Sequence, residues 1–158
     1  MNKALLVLGL ATLSFACGSP QRPVTFVTSA NVDGGVDVVS RTLAAEGHSS
    51  PVVNRQAGII NTEWKDTGFL FGQVQGAPAT IVRRFTVVLA PAGQGANVTV
   101  RMDGKRCAQG SFTIEGADVK GSCEEMTVVV EKHQLEVDAL GAKVQQALAA
   151  APAGSKAP

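Results

Sequence analysis

The stretch ANVTVRMDGKRC, residues 96–107, decides how the chain is expected to fold. Its side chains alternate: Val98, Val100 and Met102 fall on one face, Asn97, Thr99 and Arg101 on the other. A period of two marks a strand with one dry face and one wet face. Asp103-Gly104 then carries the chemistry of a two-residue hairpin turn, since glycine takes positive φ without steric cost. A strand ending near Met102, a tight turn and a second strand from Cys107 to Ile114 follow, with Ala108, Phe112 and Ile114 on one face.

Upstream, ATIVRRFTVVLAP (79–91) is another extended run, with Ile81, Phe85, Val87 and Leu89 on one face interrupted by Arg83. The PAGQGAN segment that links the two runs reads as a turn, because its G-x-G lacks a third glycine and precedes a strand. PVVNRQAGIINTEWKD (51–66) reads as strand, glycine turn, strand, with Ile60, Thr62 and Trp64 sharing a face. VTFVT (24–28) is a first short strand. Between them the period changes. Val32, Val36, Val39 and Leu43 recur at helical spacing, Gly47 stands where a C-terminal cap belongs, and Gly34-Gly35 moves the expected start toward Gly35.

Downstream, EGAD (115–118) is turn chemistry that returns the chain to Cys123. From about Glu124 the period is helical: Val130, His133, Val137, Leu140, Val144 and Leu148 form one stripe, although TVVVE at its start also fits a strand. The order is β-α-β-β-β-β-β-α. It predicts an α+β fold, an antiparallel sheet of about five to six strands with two helices packed on one face. Expected boundaries are a leader over 1–16, an anchored N-terminus and flexible tether over 17–22, one domain over 23–149 and a loose tail over 150–158.

The chain has 158 residues, enough for one moderate core. Loss of Lys3 with the leader leaves 13 basic against 13 acidic residues, so a nucleic-acid partner, which needs phosphate neutralisation, is not expected. Met1 to Ala16 has a positive start followed by ALLVLGLATLSFA, an apolar run too short to span a bilayer and matched to a secretory leader. Two processing routes compete at LSFACGSP (13–20): ordinary cleavage after SFA, or lipidation of Cys17 as in bacterial lipoproteins. Ser14 stands where lipoprotein signals usually carry an aliphatic residue. Cysteine parity favours lipidation, because three cysteines in an exported chain leave one over. Cys107 and Cys123 lie on neighbouring strands, where an oxidising compartment would join them. A metal or redox pair is the alternative, against which stand the absence of C-x-x-C spacing and of nearby histidines. Gly18 after the cysteine resembles sorting to the outer membrane, with the domain on the periplasmic face.

This order behind such a leader, with AGIINTEWKD (57–66) as the strand after the first hairpin, resembles the helix-grip domains of BamC-type lipoproteins, accessory subunits of outer-membrane β-barrel assembly. The resemblance implies a non-enzymatic part of an envelope complex and brings no ligand or catalytic motif. The wider helix-grip class includes proteins that hold an apolar ligand between sheet and C-terminal helix.

Few residues suggest chemistry. His48 and His133 are the only histidines; His133 reads as a packed core residue and His48 as a cation at a helix end. No catalytic or metal motif occurs, and no cofactor is expected. Arg83-Arg84 sends its side chains to opposite faces, one expected beside a carboxylate and the other in solvent. In TGFLFGQVQGAP (67–78), Phe69, Leu70 and Phe71 are bracketed by Gly68 and Gly72. With Trp64 they form the candidate contact for a partner or ligand, the other reading being a buried strand or a loop over an open core edge. The leading functional expectation is a non-catalytic outer-membrane lipoprotein serving an envelope assembly. A module holding an apolar or lipid ligand between sheet and helix is the alternative, and an enzyme the third.

Overall fold

The computed structural model of the chain describes residues 19–48 and 51–151; the leader, Cys17 and the last seven residues of the expected tail lie outside the described residues. The elements in chain order are β1 (Ser19–Pro20), β2 (Val24–Thr28), α1 (Val32–Ala45), β3 (Val52–Asn54), β4 (Ile59–Asn61), β5 (Lys65–Val74), β6 (Ala77–Ala92), β7 (Gly95–Glu115), β8 (Asp118–Glu125), β9 (Val128–Val129) and α2 (Glu131–Ala150). The fold is α+β with two helices and an antiparallel seven-stranded sheet, not five or six strands, and β1 and β9 form a second, two-stranded sheet.

The largest departure from expectation is at Asp103-Gly104, which is not a turn. β7 runs straight through it, pairing Asp103 with Arg84 and Gly104 with Arg83 of β6. Cross-strand chemistry overrides the turn signal here. The Asp103 carboxylate accepts from Arg84 Nε at 3.1 Å and Thr86 Oγ1 at 2.8 Å. Gly104 stays extended, and its missing side chain serves a different purpose: a Cβ there would lie 3.3 Å from the Met126 sulfur and 3.4 Å from Met102 Cε. The real hairpin between β5 and β6 is Gln75-Gly76, both at positive φ, 52° and 79°. That is the geometry of a primed turn, with glutamine where asparagine is usual.

Because β6 and β7 are so long, each outer edge takes two neighbours in succession. β7 pairs with β2 along 96–100 and with β8 along 105–115; β6 pairs with β4 along 86–88 and with β5 along 77–83. At the change of partner on β7 two carbonyls would be stranded, and buried backbone groups need partners. Gln21 Nε2 donates to the Met102 carbonyl at 2.6 Å, and the Met126 amide donates to the Gly104 carbonyl at 2.9 Å. On β6 the corresponding gap is closed by Thr62, whose hydroxyl accepts from the Phe85 amide at 2.9 Å.

Both helices cover one face. α1 begins at Val32, earlier than Gly35, because Asn31 caps it by accepting from the Gly34 amide at 2.8 Å. Val36, Val39 and Leu43 from α1 and Val137, Val144 and Leu148 from α2 close on Val87, Leu89, Val98 and Val100, all buried. On the opposite face a smaller core joins Trp64, Val82, Cys107 and Val119. It forms because a bulge between Cys107 and Phe112 bends the β7–β8 ribbon until Trp64 Nε1 donates to the carbonyl of Ala117 at its tip, 3.0 Å away. Cys107 and Cys123 are direct cross-strand partners, joined by a disulfide over a separation of 16 residues. A loop of that size contributes about 3 kcal/mol in the chain-entropy account.

Within the segment read as a tether, Ser19 pairs with Val129 and Pro20 with Val128. Helix α2 continues to Ala150. It reaches the sheet through Gly141, where a Cβ would fall 2.7–2.9 Å from the Val24 side chain. Val24 is branched at the contact and has no flexible end to swing away. Gly141→Ala should therefore lose about 1–3 kcal/mol to overpacking and regain about 1 kcal/mol of helix propensity. The expected net result is a melting temperature about 3–5 °C lower, restored when Val24→Ala is added; a rise in the single variant would mean that the two elements separate at no cost.

Candidate functional site

Strand β5 carries the aromatic run and departs from regular pairing twice, with register shifts between Asp66 and Leu70 and between Leu70 and Gln73. Gly68 and Gly72 adopt φ of 65° and 72°, which lets the strand bulge without a Cβ clash. As a result Phe69 and Leu70 reach the surface, 39% and 56% exposed, while Phe71 is half-buried. Trp64 does not join them. It is buried on the face away from the helices, with the Arg84 guanidinium 4.7 Å and the Lys105 ammonium 5.4 Å from its ring centre. The four expected contact residues are thus split between buried Trp64, half-buried Phe71 and the exposed pair Phe69 and Leu70.

Around Trp64 lies a polar cleft of about 370 Å³, lined by Gln21, Arg84, Asp103, Lys105, Asp118 and Met126 among others. Its charges are largely satisfied internally: Arg84 meets Asp103 at 3.1 Å and Lys105 meets Glu125 at 3.4 Å. Such a lining stiffens the sheet junction and offers little unspent charge to a ligand.

The helix-facing side holds an arrangement that spacing alone did not foretell. His133, in the first turn of α2, is 1% exposed, and the Phe69 ring meets it edge-on at 6.1 Å between centres. His48, just past α1, meets the Phe85 ring edge-on at 5.4 Å. Arg83 stacks its guanidinium 4.8 Å from the same Phe85 ring and pairs with Glu136 of α2 at 2.7 Å. The two histidines that looked solitary in sequence therefore line one layer with a half-buried ion pair between sheet and helix. The only prior signal was Arg83 breaking an apolar strand face. One of the two arginines was expected in solvent, but Arg84 is paired as well, with Asp103.

The layer is electrostatically tight. Nδ1 of His48, Nδ1 of His133 and Nε of Arg83 are buried without a hydrogen-bond partner. Burial pushes the His48 pKa below its usual value, and the positive charges of Lys65 and Arg83 push it further. Burial likewise lowers that of His133, with Arg83 and Lys132 adding to the fall and Glu136 opposing it. Glu136 is engaged by Arg83, and the Nδ1 of His133 has no hydrogen-bond partner. Among the described residues no three His, Cys, Asp or Glu side chains gather as metal ligands.

Both imidazoles fold neutral while the unfolded chain protonates near pH 6.5, so acid favours the unfolded state. Their contribution is fully present above about pH 6.5 and is lost as pH falls through the depressed folded values. The urea midpoint should drop between pH 7.5 and pH 5, and the drop should flatten in His48→Gln/His133→Gln. An equally steep fall in that double variant would assign the acid sensitivity to carboxylates.

No family model matches the chain, and no curated protein matches it. Among solved structures it is similar to a DUF4468 family protein from Bacteroides ovatus ATCC 8483, with a TM-score of 0.40, 9% identity, and coverage of 85% of this chain and 88% of that one. A likeness of that size carries no argument about function, and the resemblance to BamC-type domains rests on element order, the expected leader and the segment AGIINTEWKD alone.

Proposed function

We propose that the chain is an exported lipoprotein of the bacterial outer membrane, held through Cys17 with its domain on the periplasmic face. It works without catalysis, as an accessory or scaffold subunit of an envelope assembly in the manner of the BamC-type proteins it resembles. The observation that carries this reading is the Cys107–Cys123 disulfide. It leaves Cys17, directly after the apolar run, as the one cysteine of three outside the bond. A domain stapled by a disulfide suits an oxidising compartment, and a lone thiol beside a leader suits acylation.

Two further features favour a scaffold over a ligand carrier. The layer where an apolar ligand would sit, between sheet and α2, is filled by Val98, Val100, Val137, Val144 and Leu148, each at most 1% exposed. The exposed apolar pair Phe69 and Leu70 sits on the surface instead, where it serves contact with something outside the domain.

Intact mass of the mature protein from its native envelope tests the anchor. The expected result is a chain beginning at Cys17 that carries acyl mass, with Cys17→Ser moving the protein into the soluble periplasmic fraction. An unacylated, soluble native chain would overturn it. The assembly role is read by crosslinking in gently solubilised membranes, where recovery solely as a monomer would count against it.

A further inference from the structure

A strand at the edge of a sheet presents unpaired N–H and C=O groups, which folded proteins blunt with charge, proline, bulges or short length. In the large sheet β2, β3, β5 and β8 each have one partner. Three of these edges are blunted. β3 has three residues, follows Pro51 and ends at Arg55, which is paired with Asp37. β5 carries its two register shifts and the positive-φ Gly68 and Gly72. β8 sets Asp118, Lys120, Glu124 and Glu125 along its edge, and its pairing is broken by a bulge on β7. β2, the stretch VTFVT, has no charge, proline or glycine and keeps unbroken antiparallel register with β7 from Val24–Val100 to Thr28–Ala96.

This edge also matches itself. Val24 lies beneath Gly141 of α2, so alternation sends Thr25 and Val27 to the face away from the helices, where both are exposed, Val27 by 72%. An antiparallel pair of two such strands centred on Phe26 sets Thr25 against Val27, Val24 against Thr28 and Phe26 against itself, all favourable cross-strand combinations. The first charged residue, Arg22, falls opposite Ala30, beyond the strand, so no like charges meet. A two-fold axis through this pair sets α2 beside α2. Gln134 and Gly141, which touch Arg22 and Val24, mark the flank of the helix above β2. Next round at helical spacing come Asp138, Gln145 and Ala149, all exposed. That flank carries no aromatic or long charged side chain to hold a neighbouring helix away.

We propose that β2 is an interface strand: its free edge pairs antiparallel with the β2 edge of a second copy of this chain, centred on Phe26, and joins two seven-stranded sheets into one. Five residues and one helix flank lie at the small end of specific interfaces, below about 1,200 Å² in total, so the dimer forms reversibly with concentration. With 13 basic and 13 acidic residues after loss of Lys3, no net charge drives the copies apart. This inference goes beyond the lipoprotein reading and stands whether or not the chain is acylated.

The exported chain with Cys17→Ser, in which no thiol is free to join two copies, is the material for the test. In sedimentation velocity across the micromolar range, the expected result is a mass that rises with concentration from one copy toward two. Val27→Lys places a charge on the edge. Because that side chain is exposed, the melting temperature should hold while dimerisation weakens several-fold or more. Mild oxidation reads the register. A mixture of Thr25→Cys and Val27→Cys chains should crosslink several-fold more than either chain alone, since these two positions face each other between copies. A monomer at every concentration would overturn the proposal. A dimer that Val27→Lys leaves unchanged, with no preference for the mixed crosslink, would take the interface away from β2 and overturn it equally.

Discussion

The ribbon of β6 and β7, paired without interruption from Ala79–Ala108 to Ala92–Gly95, is the constraint that organises the molecule. Each strand is longer than any strand on its outer edge, so each outer edge is shared by two shorter strands. That sharing divides the sheet into a half beneath the helices and a half beyond them. It also creates the edge gaps that Gln21, Met126 and Thr62 close. An uncovered polar edge inside a domain costs more than the side chains spent closing it.

The two halves solve burial differently. Beneath the helices, aliphatic side chains from α1, α2 and the sheet meet in one core. Beyond them no helix is available, so the β7–β8 ribbon bends over the opposite face and is stapled there by Cys107–Cys123, with Trp64 beneath its tip. The ion pair of Arg83 and Glu136 sits where the helical cover runs out, with both histidines alongside. Charge at that boundary is half solvated, which lets the pair exist without the full desolvation cost of a buried one.

The first described residues are tied into the domain. A segment that looks like a spacer from composition, with Gly, Ser and Pro, becomes a strand because Val128 and Val129 offer it a partner. Its hydrogen bonds to Gln134 and Met102 then tie the chain start to α2 and to the central ribbon at once.

Periodicity made much of this legible. The stripes Val36-Val39-Leu43 and Val137-Leu140-Val144-Leu148, the alternation of Val98, Val100 and Met102, and the turns at EGAD and PAGQGAN all depend on local spacing, which the chain carries wherever it lies. Cysteine parity likewise singled out Cys107 and Cys123, and the structure joins them. Decisions that depend on a distant partner were not legible. Asp103-Gly104 became strand because Arg84 and Thr86 across the ribbon claim the aspartate, and Met126 needs the space a side chain on Gly104 would fill. Phe69 and Leu70 both reached the surface where bulges interrupt the pairing of β5 with β6. His48, Arg83 and His133, 35 and 50 positions apart along the chain, met only when the helices closed on the sheet. Local spacing determined what each segment is; pairing across the sheet decided which segments continue, which aromatics are buried and which charges share a layer.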